Sequence, residues 1–147
     1  MAGIKVTAAD RWFSLAIREA ANWTCASSGM VDPEGQAKGS SKRLECCHFF
    51  GRRNKSTRWH VDNVVCLSHA EHRRFTENPA DFTLWYQDYL GAGRYEMLLA
   101  KARDIRIKYS KQEQAKDIPK HYREEYRRLR KERKQGATGI LEIVSYE

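Results

Sequence analysis

Long apolar runs are absent from this chain of 147 residues. No stretch approaches the roughly 20 consecutive apolar residues that a membrane-spanning helix needs, and residues 1–5 lack the apolar segment of an export signal. We therefore expect a protein that does not enter the membrane and that works in a reducing cytoplasm.

Cysteine is scarce as well, with four residues in the chain. In a reducing compartment, four thiols are more often free or metal-bound than part of a disulfide framework, and the adjacent Cys46 and Cys47 are poorly placed to pair with each other. Stability must then come from a hydrophobic core. Hydrophobic residues make up 41% and aromatic residues 11% of the chain, which excludes a fully disordered protein and predicts about one folded domain.

Acidic residues are under-represented in two basic regions of this protein, whose formal net charge is +8. Residues 101–134 carry 14 Lys and Arg against 6 Asp and Glu, whereas residues 1–100 are nearly balanced. A second basic cluster lies within residues 42–58, where Glu45 is the one acidic residue. Two such patches favour a polyanionic partner, because each neutralised phosphate releases counterions. For the carboxy-terminal region, a solvated helix that binds nothing is an equally good interpretation.

Residue periodicity predicts helices joined to one short hairpin. Thr7 and Asp10 approximate a capping box before apolar residues at helical spacing, and Asn78-Pro79 begins a second clear helix. Two β-prone segments are separated by the basic loop 51–56, and residues 27–41 are expected to be a loop. The predicted helices are 8–21, 68–77, 79–90, 94–108 and a basic one from Pro119; the predicted strands are 44–50, 58–67 and an edge or dimer strand at 140–144.

Three polar side chains fall on this strand, strand and helix frame. His48 ends the first strand, Asn63 lies in the second, and His72 lies in the following helix. Such a frame can bring two imidazoles and an amide together over one divalent ion. One imidazole would deprotonate a water, the amide would position the loop, and the other imidazole would hold the ion. The basic loop would bind a phosphodiester. The remaining histidines are more simply interpreted as surface or core residues.

The spacing of this triple resembles that of the HNH (ββα-metal) nucleases. Three sequence segments resemble those of the phage NinG/Rap-like recombination nucleases of that family. They are Cys-Cys-His-Phe-Phe-Gly-Arg-Arg, Thr-Arg-Trp-His-Val-Asp-Asn and His-Arg-Arg-Phe-Thr-Glu-Asn-Pro. The resemblance implies that His48 is the general base, Asn63 the orienting amide and His72 the metal ligand. It implies DNA contacts at Arg52 and Arg53. From the basic patches we add further candidate contacts at Lys55, Arg58, Arg73, Arg127, Arg128 and Arg130.

Two positions depart from the pattern of the family. Many HNH nucleases have an Asp or His metal ligand directly before the base, and here that residue is Cys47, which would favour a softer ion than Mg²⁺. The divalent ion is expected to be Mg²⁺ or Mn²⁺, and Ni²⁺ or Zn²⁺ are the alternatives that Cys47 would favour. Three of the four thiols of the usual zinc knuckles are also missing. A rebuilt zinc site from Cys25, Cys46 or Cys47, Cys66 and His69 is conceivable, but we favour buried, unligated thiols.

Together these features predict an α+β protein with a ββα-metal core, an amino-terminal helix and a basic carboxy-terminal helical arm. Residues 1–92 would form the core and residues 93–147 the arm with its short strand. The expected activity is metal-dependent hydrolysis of DNA, with RNA not excluded. The resemblance implies that the substrate is branched or recombination DNA of a phage in a bacterial cytoplasm. The alternative is a degenerate HNH-fold module that binds nucleic acid without cutting it.

Overall fold

The structure is a computed structural model that describes residues 3–147; the first two residues of the segment 1–5 discussed above lie outside this range. Within it the chain is α+β. The helices are α1 (Ala8–Ala20), α2 (Pro33–Lys38), α3 (His69–Glu77), α4 (Pro79–Leu90), α5 (Ala92–Arg103) and α6 (Ile118–Lys134), and the strands are β1 (Leu44–His48) and β2 (Val64–Ser68). A 3₁₀ turn at Val61–Asn63 precedes β2, and a π-helical turn at Glu113–Asp117 precedes α6. No helix among the described residues is long and apolar enough to cross a membrane.

The two strands pair as an antiparallel hairpin, with Cys46 opposite Cys66 and His48 opposite Val64. The chain runs directly from β2 into α3, whose first turn is capped by the Ser68 hydroxyl. The predicted order of strand, strand and helix is therefore confirmed. Both strands are shorter than predicted, however. β1 ends at His48, beyond which the Asn63 side chain bonds to the backbone of Phe50, and β2 begins only after the 3₁₀ turn.

The predicted starts of the main helices are confirmed. Thr7 and Asp10 form the expected capping box of α1, and Pro79 stands in the first turn of α4. The expectation of a loop throughout residues 27–41 is wrong, because Pro33 begins the short α2, which ends at Gly39 in the left-handed conformation. α5 ends at Arg103, before the predicted boundary at residue 108.

The carboxy-terminal region packs against the helices and loop that precede it. The Tyr122 hydroxyl donates to the Trp59 carbonyl, and Arg130 and Arg133 of α6 both pair with Glu19 of α1. The tail at residues 140–144 forms no strand; the amide of Leu141 donates to the Ala20 carbonyl at 2.9 Å. Helix α6 packs in this way because it has an apolar stripe that includes Tyr122 and Leu129, both of which are completely buried.

The core has two clusters, which lie on either side of the hairpin. Trp23, Leu67 and Phe75 belong to the first, which joins β2 to α3 and α4. Phe13 and Trp59 belong to the second, which joins α1 to α6. The hairpin is therefore held between α1 on one side and α3 on the other, and these two helices supply the walls of the candidate site.

Candidate functional site

Strand β1 presents different chemistry on its two faces, since successive side chains of a strand point in opposite directions. Cys46 and His48 share the face toward α1, where the His48 ring lies 6.3 Å from the Phe13 ring. Glu45 and Cys47 share the other face, toward α3. The candidate base and the candidate metal ligands are thus carried by neighbouring residues on opposite faces of one strand.

The His48 ring is fixed by the backbone of the loop between the strands. Its Nε2 lies 3.0 Å from the carbonyl oxygen of Arg58. Because a carbonyl only accepts hydrogen bonds, Nε2 carries a proton, and Nδ1 of the neutral ring then keeps its lone pair. Burial lowers the pKa of His48, although its hydrogen bond to the Arg58 carbonyl opposes that effect. The neutral form, which can accept a proton, is therefore favoured.

The side chain of Arg58 holds this loop against α1. Its guanidinium donates to both carboxylate oxygens of Asp10, at 3.0 and 2.6 Å, and both side chains are 6% exposed. Trp59 Nε1 also donates to Asp10, at 3.1 Å. The expectation that Arg58 contacts DNA is thus wrong, because this charge is buried and already paired.

Asn63 lies behind the site and is completely buried. Its Oδ1 accepts from the Phe50 amide at 2.8 Å, and its Nδ2 donates to the carbonyls of Phe50 and Thr57 at 2.9 and 3.0 Å. The amide therefore closes the loop that carries Arg52, Arg53 and Lys55. This geometry agrees with a loop-positioning role, but the three predicted side chains do not all meet around one ion.

His72 instead comes together with two residues of β1. Glu45, Cys47 and His72 each offer a ligand atom within 4.8 Å of the others, so that the three form a group that could hold a metal ion. His72 Nδ1 lies 2.7 Å from Glu45 Oε2, and His69 Nδ1 lies 3.0 Å from Glu45 Oε1. Although burial opposes its charge, the hydrogen bonds from His72 and His69 hold the pKa of the Glu45 carboxyl below its usual value. Burial raises the pKa of the Cys47 thiol.

A cavity of about 650 Å³ lies beside β1 and brings His48 and His72 to a common wall. Its other polar lining residues come from α1, from the segment before β1 and from the basic loop. They are Asp10, Arg11, Ser14, Arg18, Ser40, Ser41, Lys42 and Arg52. Asp10 is already neutralised by Arg58, so the four cationic side chains give the cavity a positive character that suits a phosphate.

The proposed zinc ligands are not assembled. Among residues 3–147, no three of Cys25, Cys46, Cys66 and His69 come within metal-ligating distance of one another. Cys25 and Cys66 are buried, and Cys46 is half-buried. His69 lies on the surface, where Nε2 is 2.8 Å from the Lys42 carbonyl. The separation follows from the fold, because Cys46 and Cys66 face α1 whereas His69 begins α3.

The predicted phosphate contacts fall into two groups. Arg52, which is half-buried, lines the cavity, and Arg53, Lys55, Arg73 and Arg127 are exposed. The others are used within the protein. Arg128 pairs with Glu125 and Glu132, and Arg130 donates to Glu19 and to two backbone carbonyls of α2. Prediction from charge alone fails for Arg128 and Arg130 because their acidic partners stand on the same or the adjacent helix.

Sequence reasoning missed Glu45 and Arg11. Glu45 stands two residues before Cys47 in a strand, a spacing that puts both on one face. Arg11, Ser14 and Arg18 recur at helical spacing on the polar face of α1. Both signals were present, but neither could be assigned to the site before the positions of α1 and α3 beside β1 were known.

No family model, no curated protein and no solved structure matches this chain.

Proposed function

We propose that this protein is a metal-dependent nuclease with an HNH-like ββα core, which hydrolyses phosphodiester bonds of DNA. The observation that carries the proposal is the positively charged cavity whose wall includes both His48 and His72. A neutral imidazole, one candidate metal ligand and several cations line this one space, and the other two candidate ligands, Glu45 and Cys47, lie next to His72 outside the cavity lining. These are groups that phosphodiester hydrolysis can use.

His48 would act as the general base. With Nε2 held by the Arg58 carbonyl, Nδ1 accepts a proton from a water molecule, whose oxygen forms a bond to phosphorus. The bond between phosphorus and the 3′ oxygen breaks, and the leaving oxygen takes a proton from solvent. The lowered pKa of His48 keeps the ring ready for this step at neutral pH.

Glu45, Cys47 and His72 fit a divalent ion of borderline softness. Two of their three donor atoms are nitrogen and sulfur, which suit Zn²⁺ or Ni²⁺ better than Mg²⁺ or Mn²⁺, since the latter two prefer oxygen ligands. When bound, such an ion would polarise the phosphate and neutralise charge that develops in the transition state. Glu45 contributes the negative charge that attracts the ion, because its carboxyl is held ionised by the two histidines.

The cationic side chains would hold the substrate. Arg18 donates to the carbonyls of Ser14 and Ser41, at 3.2 and 2.7 Å, and so fixes the wall that carries Lys42. Arg11, Lys42 and Arg52 are then available to contact phosphate oxygens. These contacts involve the phosphate backbone, so they select for polynucleotides and carry no base sequence.

The test is a nicking assay with the purified protein. Supercoiled plasmid and a four-way DNA junction are incubated with Mg²⁺, Mn²⁺, Ni²⁺, Zn²⁺ or EDTA, and the wild type is compared with His48→Ala and with His121→Ala. His121 is the matched control, because it lies on α6 and contacts the Val144 carbonyl, away from the cavity. We expect metal-dependent nicking that falls about 100-fold or more in His48→Ala and is unchanged in His121→Ala.

The alternative is a module that binds nucleic acid without cutting it. The positions of Glu45 and Cys47 favour this alternative, because neither residue lines the cavity and Cys47 is buried. Binding of DNA without nicking in every metal would support the module and contradict the nuclease. Equal nicking by wild type and His48→Ala would contradict the assignment of His48 as the general base.

A further inference from the structure

A second basic surface lies on α6, outside the cavity. Arg127, Lys131 and Lys134 are exposed, and their spacing of four and three residues places them on one face of the helix. Among residues 3–147 none of these three side chains pairs with a carboxylate within ion-pair distance. Their neighbours on the helix behave differently, since Arg128 and Arg130 are both paired with acidic residues.

These three residues form one side of a groove, and Lys38 of α2 lies on the other side. The groove is a fixed feature of the fold. The Tyr126 hydroxyl donates to the Gly39 carbonyl, and Arg130 donates to the carbonyls of Gln36 and Ala37 at 3.2 and 3.3 Å. The end of α2 is thus fastened to α6 by hydrogen bonds at the base of the groove.

The groove and the cavity share one segment of backbone. Lys38 lines the groove, and Ser40, Ser41 and Lys42 line the cavity with His48 and His72. Gly39, between them, has a φ of 71°, and a Cβ there would lie 2.6 Å from both the Tyr126 hydroxyl and Arg130 Nε. A polymer that leaves the cavity past Lys42 therefore meets the α6 face within a few residues of the same segment.

We infer that the groove of Lys38, Arg127, Lys131 and Lys134 binds the phosphate backbone of the same DNA molecule, away from the bond that is cleaved. The face from Arg127 to Lys134 extends about 10.5 Å along the helix, a length over which one strand of duplex DNA carries about three phosphates. The acidic residue nearest to Lys38 is Glu34, at 3.4 Å. That pair is exposed and hence weak, so a phosphate can displace it.

The inference rests on the proposed function for the identity of the polyanion, but its test needs no catalysis. Binding of a labelled 30-base-pair duplex is measured in EDTA by fluorescence anisotropy over a range of salt concentrations. The groove variant is Arg127→Gln, Lys131→Gln and Lys134→Gln. The matched control removes three exposed cations that lie outside the groove: Arg103→Gln, Lys111→Gln and Lys116→Gln.

We expect the slope of log affinity against log salt to fall by about 2 to 3 in the groove variant, and by less than about 1 in the control, because each phosphate contact contributes about 0.9. Equal slopes in the two variants would overturn the inference, since only net charge would then matter. Competition by polyglutamate at the same charge concentration as DNA would overturn it as well, since the surface would then accept any polyanion.

Failure of the groove and failure of the nuclease proposal give different results. Hydrolysis of the small substrate bis(p-nitrophenyl) phosphate does not require the groove, and it should be equal in the wild type, the groove variant and the control. If the salt slope falls in the groove variant as expected but the wild type nicks DNA in none of the metals, only the nuclease proposal is contradicted. If the wild type nicks DNA as expected but the groove variant keeps the salt slope of the wild type, only the inference about the groove is contradicted.

Discussion

The Nε2 atom of His48 lies 3.0 Å from the backbone carbonyl of Arg58, which leaves Nδ1 as the nitrogen that can accept a proton. This contact fixes the tautomer without a charged partner. The triple identified in the sequence has a different arrangement in the structure. His48 and His72 line one cavity, whereas Asn63 supports the loop from behind.

The proposed nuclease activity should depend on pH through His48. Because burial lowers its pKa, the ring stays neutral and active until the pH falls below the usual histidine value of 6.5. We expect kcat/KM for bis(p-nitrophenyl) phosphate to be level near neutrality and to decline through a midpoint under 6.5. His121→Ala should keep this profile. A midpoint that moves when Mn²⁺ replaces Zn²⁺ would assign the titration to water on the ion and contradict the assignment to His48.

Replacement of Glu45 by Gln should weaken metal binding about 10- to 100-fold, because the variant loses the negative charge beside His72 and Cys47. Titration calorimetry with Zn²⁺ and with Mn²⁺ measures the change directly. Glu77→Gln is the control, since this exposed residue at the end of α3 removes the same charge outside the group. Equal affinities in the two variants would show that Glu45 takes no part in binding.

The packing of α2 against Trp23 should be sensitive to one methyl group. A Cβ at Gly35 would lie 2.4 Å from the Trp23 ring, which is fully buried and has no room to move. We expect Gly35→Ala to lower the free energy of unfolding by about 1–3 kcal/mol. Gly93→Ala, within α5 and with nothing nearby, should raise it by about 0.5–1 kcal/mol. Thermal melts followed by circular dichroism compare the two, and shifts of the same sign would contradict the packing argument.

Much of the fold could be predicted from local signals. The capping box at Thr7 and the Asn78-Pro79 pair act within one turn of the chain, so α1 and α4 were recognised. The predicted second strand begins too early, at residue 58, because its first residues are β-prone. The structure places these first residues in turns, because side-chain hydrogen bonds of Asn63 and of the Asp10–Arg58 pair hold this loop in place. Such long-range contacts leave no periodicity in the sequence.

The residues of the candidate site could be predicted from the sequence better than their arrangement. His48 and His72 were identified from spacing, but Glu45 and Arg11 were not, because their relevance depends on which helices flank β1. Charge alone also misassigned Arg58. A buried arginine and an exposed one look the same in a sequence, and only the position of Asp10, 48 residues earlier, separates them.

The Asp10–Arg58 pair couples the start of α1 to the orientation of the His48 side chain on β1. Asp10 both caps the helix through Thr7 and anchors the arginine whose carbonyl holds the His48 ring. Loosening the first turn of α1, by a fused tag or by trimming of the residues before it, would therefore release the imidazole from its hydrogen-bond acceptor. An intact first turn of α1 thus becomes a condition for the proton transfer proposed for His48.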